Sequence, residues 1–262
     1  MKLYNGTELL KTLCEMYGPT GFEYKVAEFI KEQTEGLCEY LPDRIGNLIC
    51  RVKGSGEGYN AENPVKVMVS AHMDEVGFII KDIDGEGYIR FGCLGGIDSR
   101  VLCGRKVTFR GKDGDVSGVI ASKAIHHQSP EERKNATKAN DMYVDIGATS
   151  REDAESVLSR GDSGTFDSEF VIFGENDGYA KCKALDDRLG CVVMIETLRR
   201  IKEEGIELPF DLVCAFTCRE ELGISGARSA AFITDPDHAL IFESTAVADI
   251  CEVPSHTTVA KQ

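Results

Sequence analysis

Phe210-Asp211-Leu212-Val213-Cys214-Ala215-Phe216-Thr217-Cys218-Arg219-Glu220-Glu221-Leu222-Gly223 is an apolar run that empties into two adjacent carboxylates and a glycine. Residues 210–217 read as a buried strand, and Glu220 and Glu221 as the turn at its carboxyl end. Adjacent side chains at a strand end point in different directions. One can bind a metal while its neighbour handles a proton. A solvated acidic loop is the plain alternative, and the rest of the chain decides between them.

Two further strands end in the same way. Val65 to Ser70 runs straight into Ala71-His72-Met73-Asp74-Glu75-Val76-Gly77, and Ala239 to Phe242 reads as a buried strand ending at Glu243. Between them Asp186-Asp187 opens a long helix with Leu189, Val192, Ile195, Leu198 and Ile201 as its apolar stripe and Gly205 at its end. Open α/β sheets bind ligands at the carboxyl ends of their strands. His72, Asp74, Asp186, Glu220, Glu221 and Glu243 would then share one cleft. One histidine among carboxylates suits a borderline divalent metal such as zinc, cobalt or manganese. A bridging carboxylate can hold two cations ~3.5–4 Å apart, a pair that clamps the attacking and leaving atoms of a hydrolysis. His72 and Asp74 lie two residues apart on a strand and share a face, so Asp74 can accept from the imidazole N–H turned away from the metal. A satisfied histidine at a strand end is the bland reading of His72.

Working outward, residues 7–17 and 23–34 have helical spacing, with Asn5 or Thr7 as the first cap and Gly18-Pro19 as the first stop. Residues 43–52 read as a strand and 54–63 as a polar loop. From Phe78 to about Phe166 short β-type runs (77–83, 88–91, 106–109, 116–120, 142–146) alternate with glycine turns, interrupted by one short helical turn over 150–159. That is the pattern of a small β-rich barrel or sandwich. Long helices and buried strands resume at Lys181. The fold class is α/β, a mixed-sheet domain of residues 1–76 plus 167–262 with a β-barrel-like domain, 77–166, inserted into it.

The chain carries 44 acidic against 30 basic residues, a net charge of -14, with no Lys/Arg block, which argues against a nucleic-acid partner. No apolar run approaches the ~20 residues of a membrane span, and the N-terminus has no segment of signal-peptide type. The ten cysteines form no Cys-x-x-Cys pair. They read as reduced cytoplasmic thiols that pack as small hydrophobes, Cys214 and Cys218 included.

Ser70-Ala71-His72-Met73-Asp74-Glu75-Val76-Gly77, Lys183-Ala184-Leu185-Asp186-Asp187-Arg188 and Arg219-Glu220-Glu221-Leu222-Gly223 resemble the M42 family of metallo-aminopeptidases. That family includes glutamyl and tetrahedral aminopeptidases, and some relatives carry an endoglucanase label. Residues 18–23, 45–48, 95–98, 145–148 and 150–152 look like further family blocks, so the likeness covers essentially the whole chain. The resemblance implies hydrolysis of N-terminal residues from short peptides with two divalent metal ions, zinc or cobalt, with manganese as an alternative. By position His72 and Glu243 look like ligands of the first metal, Asp186 like the bridge, and Glu221 like a ligand of the second. Glu220 looks like the general base for the attacking water, Asp74 like the partner orienting His72, and Asp187 like a neighbour that does not ligate. The β insertion resembles the family's dimerisation domain, implying a homo-oligomer built from dimers, up to a dodecamer. The family has one more ligand, a histidine near the C-terminus. His126, His127, His238 and His256 do not sit in a matching block, so the resemblance implies a C-terminally truncated chain with an incomplete second site. Two alternatives stay open at this point: a catalytically impaired chain that keeps the assembly role of its β domain, and a glycoside hydrolase using a carboxylate pair.

Overall fold

The computed structural model describes residues 4–248 and residue 253. In chain order α1 (Gly6–Glu15) and α2 (Tyr24–Gln33) precede β1 (Glu39–Leu41), β2 (Leu48–Val52) and β3 (Lys66–His72). Then come β4 (Gly77–Ile83), β5 (Ile89–Leu94), β6 (Lys106–Arg110), β7 (Asp115–Ala121), β8 (Tyr143–Asp145), α3 (Arg151–Val157) and β9 (Ser163–Phe166). A hairpin, β10 (Val171–Phe173) with β11 (Tyr179–Lys181), leads to α4 (Leu185–Glu203), β12 (Asp211–Thr217), α5 (Ser225–Thr234) and β13 (His238–Ile241).

The main sheet has the order β1-β2-β12-β3-β13. β12 runs parallel to β3 and antiparallel to β2, and β13 runs parallel to β3, so the sheet is mixed. All seven residues of β12 are buried because both faces of the sheet are covered there. Leu212, Cys214 and Phe216 point into one core with Leu9, Leu13, Val26, Ile30, Ile195 and Leu198 of the helices, whereas Val213 and Ala215 pack with Ile49, Met68 and Ala230 on the other side. Period-two alternation along one strand thus feeds two cores. After a four-residue link, 73–76, the chain enters a closed six-stranded barrel, β4-β5-β8-β7-β6-β9. Its separate core holds Phe78, Ile80, Ile89, Phe91, Val107, Phe109, Ile120 and Val144, with Ala154 of α3 packed against them.

Several sequence expectations need correction. The strand expected over 43–52 begins only at Leu48. Asp43 Oδ1 accepts the N–H groups of Ile45, Gly46 and Asn47 at 2.7–3.0 Å, and Gly46 has φ +115°, so this stretch is a side-chain-capped turn. Leu189 is 49% exposed and lies off the buried stripe of α4, whose buried members include Cys191, Met194, Ile195 and Leu198. β13 is not a buried strand: it lies on the sheet edge with all four residues exposed. β1, β9 and the β10–β11 hairpin were not anticipated; each has only three or four residues per strand, too few for an alternation signal. No helix among the described residues is long and apolar enough to cross a membrane.

Candidate active site

Three parallel strands deliver their ends to one place. Thr217 of β12 is opposite His72 of β3, and on the other side of β3 Ile241 of β13 is opposite Ser70. The Phe242 N–H donates to the Ser70 carbonyl at 2.8 Å and extends that pairing toward Glu243. Helix α4 starts at the same end: its Cys191 thiol donates to the His72 carbonyl at 3.3 Å, and a Cβ on Gly190 would lie 2.7 Å from Phe242 Cβ. The residue before α4, Ala184, is left-handed at φ +55°, turning Asp186 toward β3.

His72 is 3% exposed, and its Nε2 lies 3.2 Å from Asp186 Oδ1 and 4.0 Å from Glu243 Oε1. One ligand atom from each of the three residues falls within 4.8 Å of the others, a set of metal-ligating type. Burial alone would lower the His72 pKa, but its hydrogen bonds to Asp186 and Asp74, and their charges, hold it up at about 11. Glu243 is pushed up to about 7 by burial and by Asp186 beside it. Asp186 is held below the usual carboxylate range, first by its hydrogen bond from His72. Without a metal, His72 is therefore held toward its charged form and Glu243 toward its neutral form. A divalent cation is the group these residues fit, since it supplies that positive charge without protonating the ligands.

The other imidazole nitrogen faces Asp74. Its Nδ1 lies 3.0 Å from the Asp74 carbonyl oxygen and 3.5 Å from the carboxylate, so the nearer acceptor is the main chain. The Asp74 carboxylate, fully buried, instead takes the Glu220 N–H at 3.0 Å on one oxygen and the Glu221 N–H at 3.1 Å on the other. Glu221 is raised above the usual range mainly by burial, with His72 opposing and Glu220, Asp74 and Asp186 adding to the rise. Its carboxylate approaches the barrel: a Cβ on Gly95 would lie 3.0 Å from Glu221 Oε2. Glu220 is partly exposed. Neither glutamate belongs to the three-ligand group. Asp187 is 3% exposed, accepts the Gly190 N–H at 3.1 Å through Oδ1, and is pushed up to about 6 by burial. His126, His127 and His238 are exposed, and His256 lies outside the described residues. Cys214 and Cys218 are buried thiols pushed up to about 12 by burial, in keeping with packing rather than ligation.

Sequence reasoning assigned no role to the charges behind the site. Glu75, 2% exposed, receives Lys183 Nζ at 2.7 and 3.0 Å and the Gly18 N–H at 3.2 Å. Lys183 also donates to the Met16 carbonyl, and the fully buried Arg188 donates through Nε to the Met73 carbonyl at 2.6 Å. This network ties the segment after β3 to the head of α4, so His72 and Asp186 keep their separation. The signal was present: Glu75 follows Asp74, and Lys183 and Arg188 bracket Asp186.

Comparison with known proteins bears on this geometry. A sequence model of the M42 glutamyl aminopeptidase family matches residues 46–261. The TET aminopeptidase of a marine-sediment Thaumarchaeota archaeon superposes with a TM-score of 0.90 at 40% identity, over 97% of this chain and 69% of that one. The TET1 peptidase of Pyrococcus horikoshii, which can assemble into a tetrahedron or a large octahedral shell, gives a TM-score of 0.79 at 33% identity, over 93% and 71% of the two chains. The lysyl aminopeptidase of Pyrococcus furiosus is 31% identical over 91% of this chain and 66% of its own length. The chain thus spans about two thirds of the length of the relatives it matches.

Proposed function

The chain belongs to the M42 glutamyl aminopeptidase family, and from that premise we propose that it is a metal-dependent aminopeptidase that removes N-terminal residues from short peptides. The observation that carries this reading is the buried His72 imidazole with Asp186 and Glu243 at its outward nitrogen. His72, Asp186 and Glu243 would hold one divalent cation, with Asp186 shared toward a second whose ligand here is Glu221. When bound, such cations, zinc or cobalt with manganese as an alternative, polarise the scissile carbonyl and lower the pKa of water.

The chain's own residues do the rest. Asp74 keeps the proton of His72 on Nδ1, leaving the Nε2 lone pair toward the cleft. Glu220 takes the proton of the attacking water and returns it to the leaving amine. The acidic cleft pairs with the free α-ammonium of a peptide, which restricts cleavage to the N-terminus. We place the protein in the cytoplasm, supported by nine free cysteines among the described residues, and as a homo-oligomer assembled through its barrel, from a dimer up to a dodecamer.

The test is p-nitroaniline release from a panel of aminoacyl anilides after chelation and after return of Zn²⁺ or Co²⁺, beside a cellulose-oligomer control. Metal-restored release of p-nitroaniline supports the reading. No release with any metal sinks it, and cleavage of the oligosaccharide alone would favour a glycosidase.

A further inference from the structure

Beyond Thr217 the chain leaves the sheet, so the N–H groups of residues 218–221 lose the ladder that β12 provides. Buried donors without acceptors are costly. All four are taken by side chains carried on other segments. Cys218 donates to Asn47 Oδ1 at 2.9 Å and Arg219 to Glu23 Oε1 at 3.0 Å, while Glu220 and Glu221 donate to the two oxygens of Asp74. In the middle of this run Arg219 is left-handed, φ +54°, a conformation a non-glycine residue seldom takes unaided.

The acceptors are themselves held. Glu23, 6% exposed, sits immediately before α2, and its Oε1 also takes the Gly21 N–H at 2.7 Å. Asn47 Nδ2 donates to the Gly226 carbonyl at 2.9 Å and to Asp43 Oδ2 at 3.0 Å, which turns its Oδ1 toward Cys218. Asp43 accepts a further bond from the Ser229 hydroxyl at 3.2 Å. Helix α5 lies so close that a Cβ on Gly226 would fall 2.0 Å from the Cys218 carbonyl oxygen and 2.7 Å from Asn47 Oδ1. The turn is therefore fixed from the α2 side by Glu23, from the β2 side by Asn47 and from β3 by Asp74.

We propose that Glu23 and Asn47 are positioning residues, which act through the backbone N–H groups of Arg219 and Cys218 to set the direction in which Glu220 and Glu221 enter the cleft. The kinetic consequence rests on the peptidase reading; the structural one does not. Glu23 acts through one acceptor oxygen, Oε1, which takes the N–H groups of both Gly21 and Arg219. A glutamine at this position keeps the acceptor oxygen, and an alanine removes it.

Amide hydrogen exchange of the peptide spanning residues 217–223 in the metal-free full chain separates the possibilities. In Glu23→Ala this peptide should exchange at least about tenfold faster, with barrel peptides unchanged. Glu23→Gln should stay close to the unsubstituted chain. On an aminoacyl p-nitroanilide, Glu23→Ala should lower kcat about tenfold or more with KM little altered, and Glu23→Gln should restore most of it. Asn47→Ala should likewise loosen the peptide. Unchanged exchange in both alanine variants overturns the proposal. So does loss of barrel protection alongside, which would make these residues supports of the whole fold. Faster exchange in a chain that hydrolyses no anilide with any metal would leave the positioning role standing and remove the peptidase reading.

Discussion

His72 holds a buried positive charge at a place where a divalent cation would fit. Its folded pKa, about 11, stands above the ordinary histidine value of about 6.5. In the metal-free protein the ion pairs with Asp74 and Asp186 therefore contribute stability in full below about pH 6.5 and lose it progressively as pH rises from about 6.5 to about 11. A cation must displace that proton, so binding should release protons and tighten as pH rises from 6 to 8. Calorimetry of Zn²⁺ binding in buffers of different ionisation enthalpy measures this; a pH-independent affinity with no proton release would contradict it. At this scale the sequence was informative where a side chain's job follows from its place at a strand end, as for His72 and Glu220. It was less informative where a side chain serves the main chain. Asp74 was expected beside the imidazole, yet its carboxylate spends both oxygens on the N–H groups of Glu220 and Glu221. Nothing in the spacing of residues 72–74 encodes a contact with residues 146 and 147 positions away.

At the scale of elements, β3 and β12 were legible because continuous apolar runs are what a doubly covered strand requires. The edge strand β13 carries a similar run, Ala239-Leu240-Ile241, but lies exposed; composition does not report position in a sheet. Likewise Asp43 to Asn47 lost its strand character to backbone N–H groups that donate to the side chain of its own first residue. The loop after β5 makes a sharper demand. Gly95 has φ +84°, and a Cβ there would meet Val76 Cγ1 at 2.9 Å and Glu221 Cβ at 3.1 Å. Gly95→Ala should cost about 1–3 kcal/mol in urea unfolding and displace Glu221. Stability equal to that of the unsubstituted chain would show that the barrel loop and the Glu220–Glu221 turn are not in register as described.

For the whole molecule, the barrel strands run from Gly77 to Phe166 around a core separate from those of the sheet. We propose residues 77–166 as an inserted domain and 1–76 with 167–262 as the domain that carries the site. The isolated 77–166 segment should then unfold cooperatively with near-native circular dichroism; a non-cooperative, ANS-binding segment would contradict the division. The joint between the two parts is also the back of the cleft, since Glu75 pairs with Pro19 and receives Lys183. The β alternation and glycine turns of the insertion were legible in the sequence. They point to the barrel-like domain that the structure shows, but not to β9, the four-residue strand that closes it by pairing with both β4 and β6. The most direct measurement is metal content after dialysis of the unsubstituted chain, His72→Ala and Glu220→Gln, each assayed for anilide hydrolysis. The account predicts that His72→Ala loses bound metal and turnover together, whereas Glu220→Gln loses turnover and keeps its metal. Retention of metal by His72→Ala, or its loss from Glu220→Gln, would contradict it.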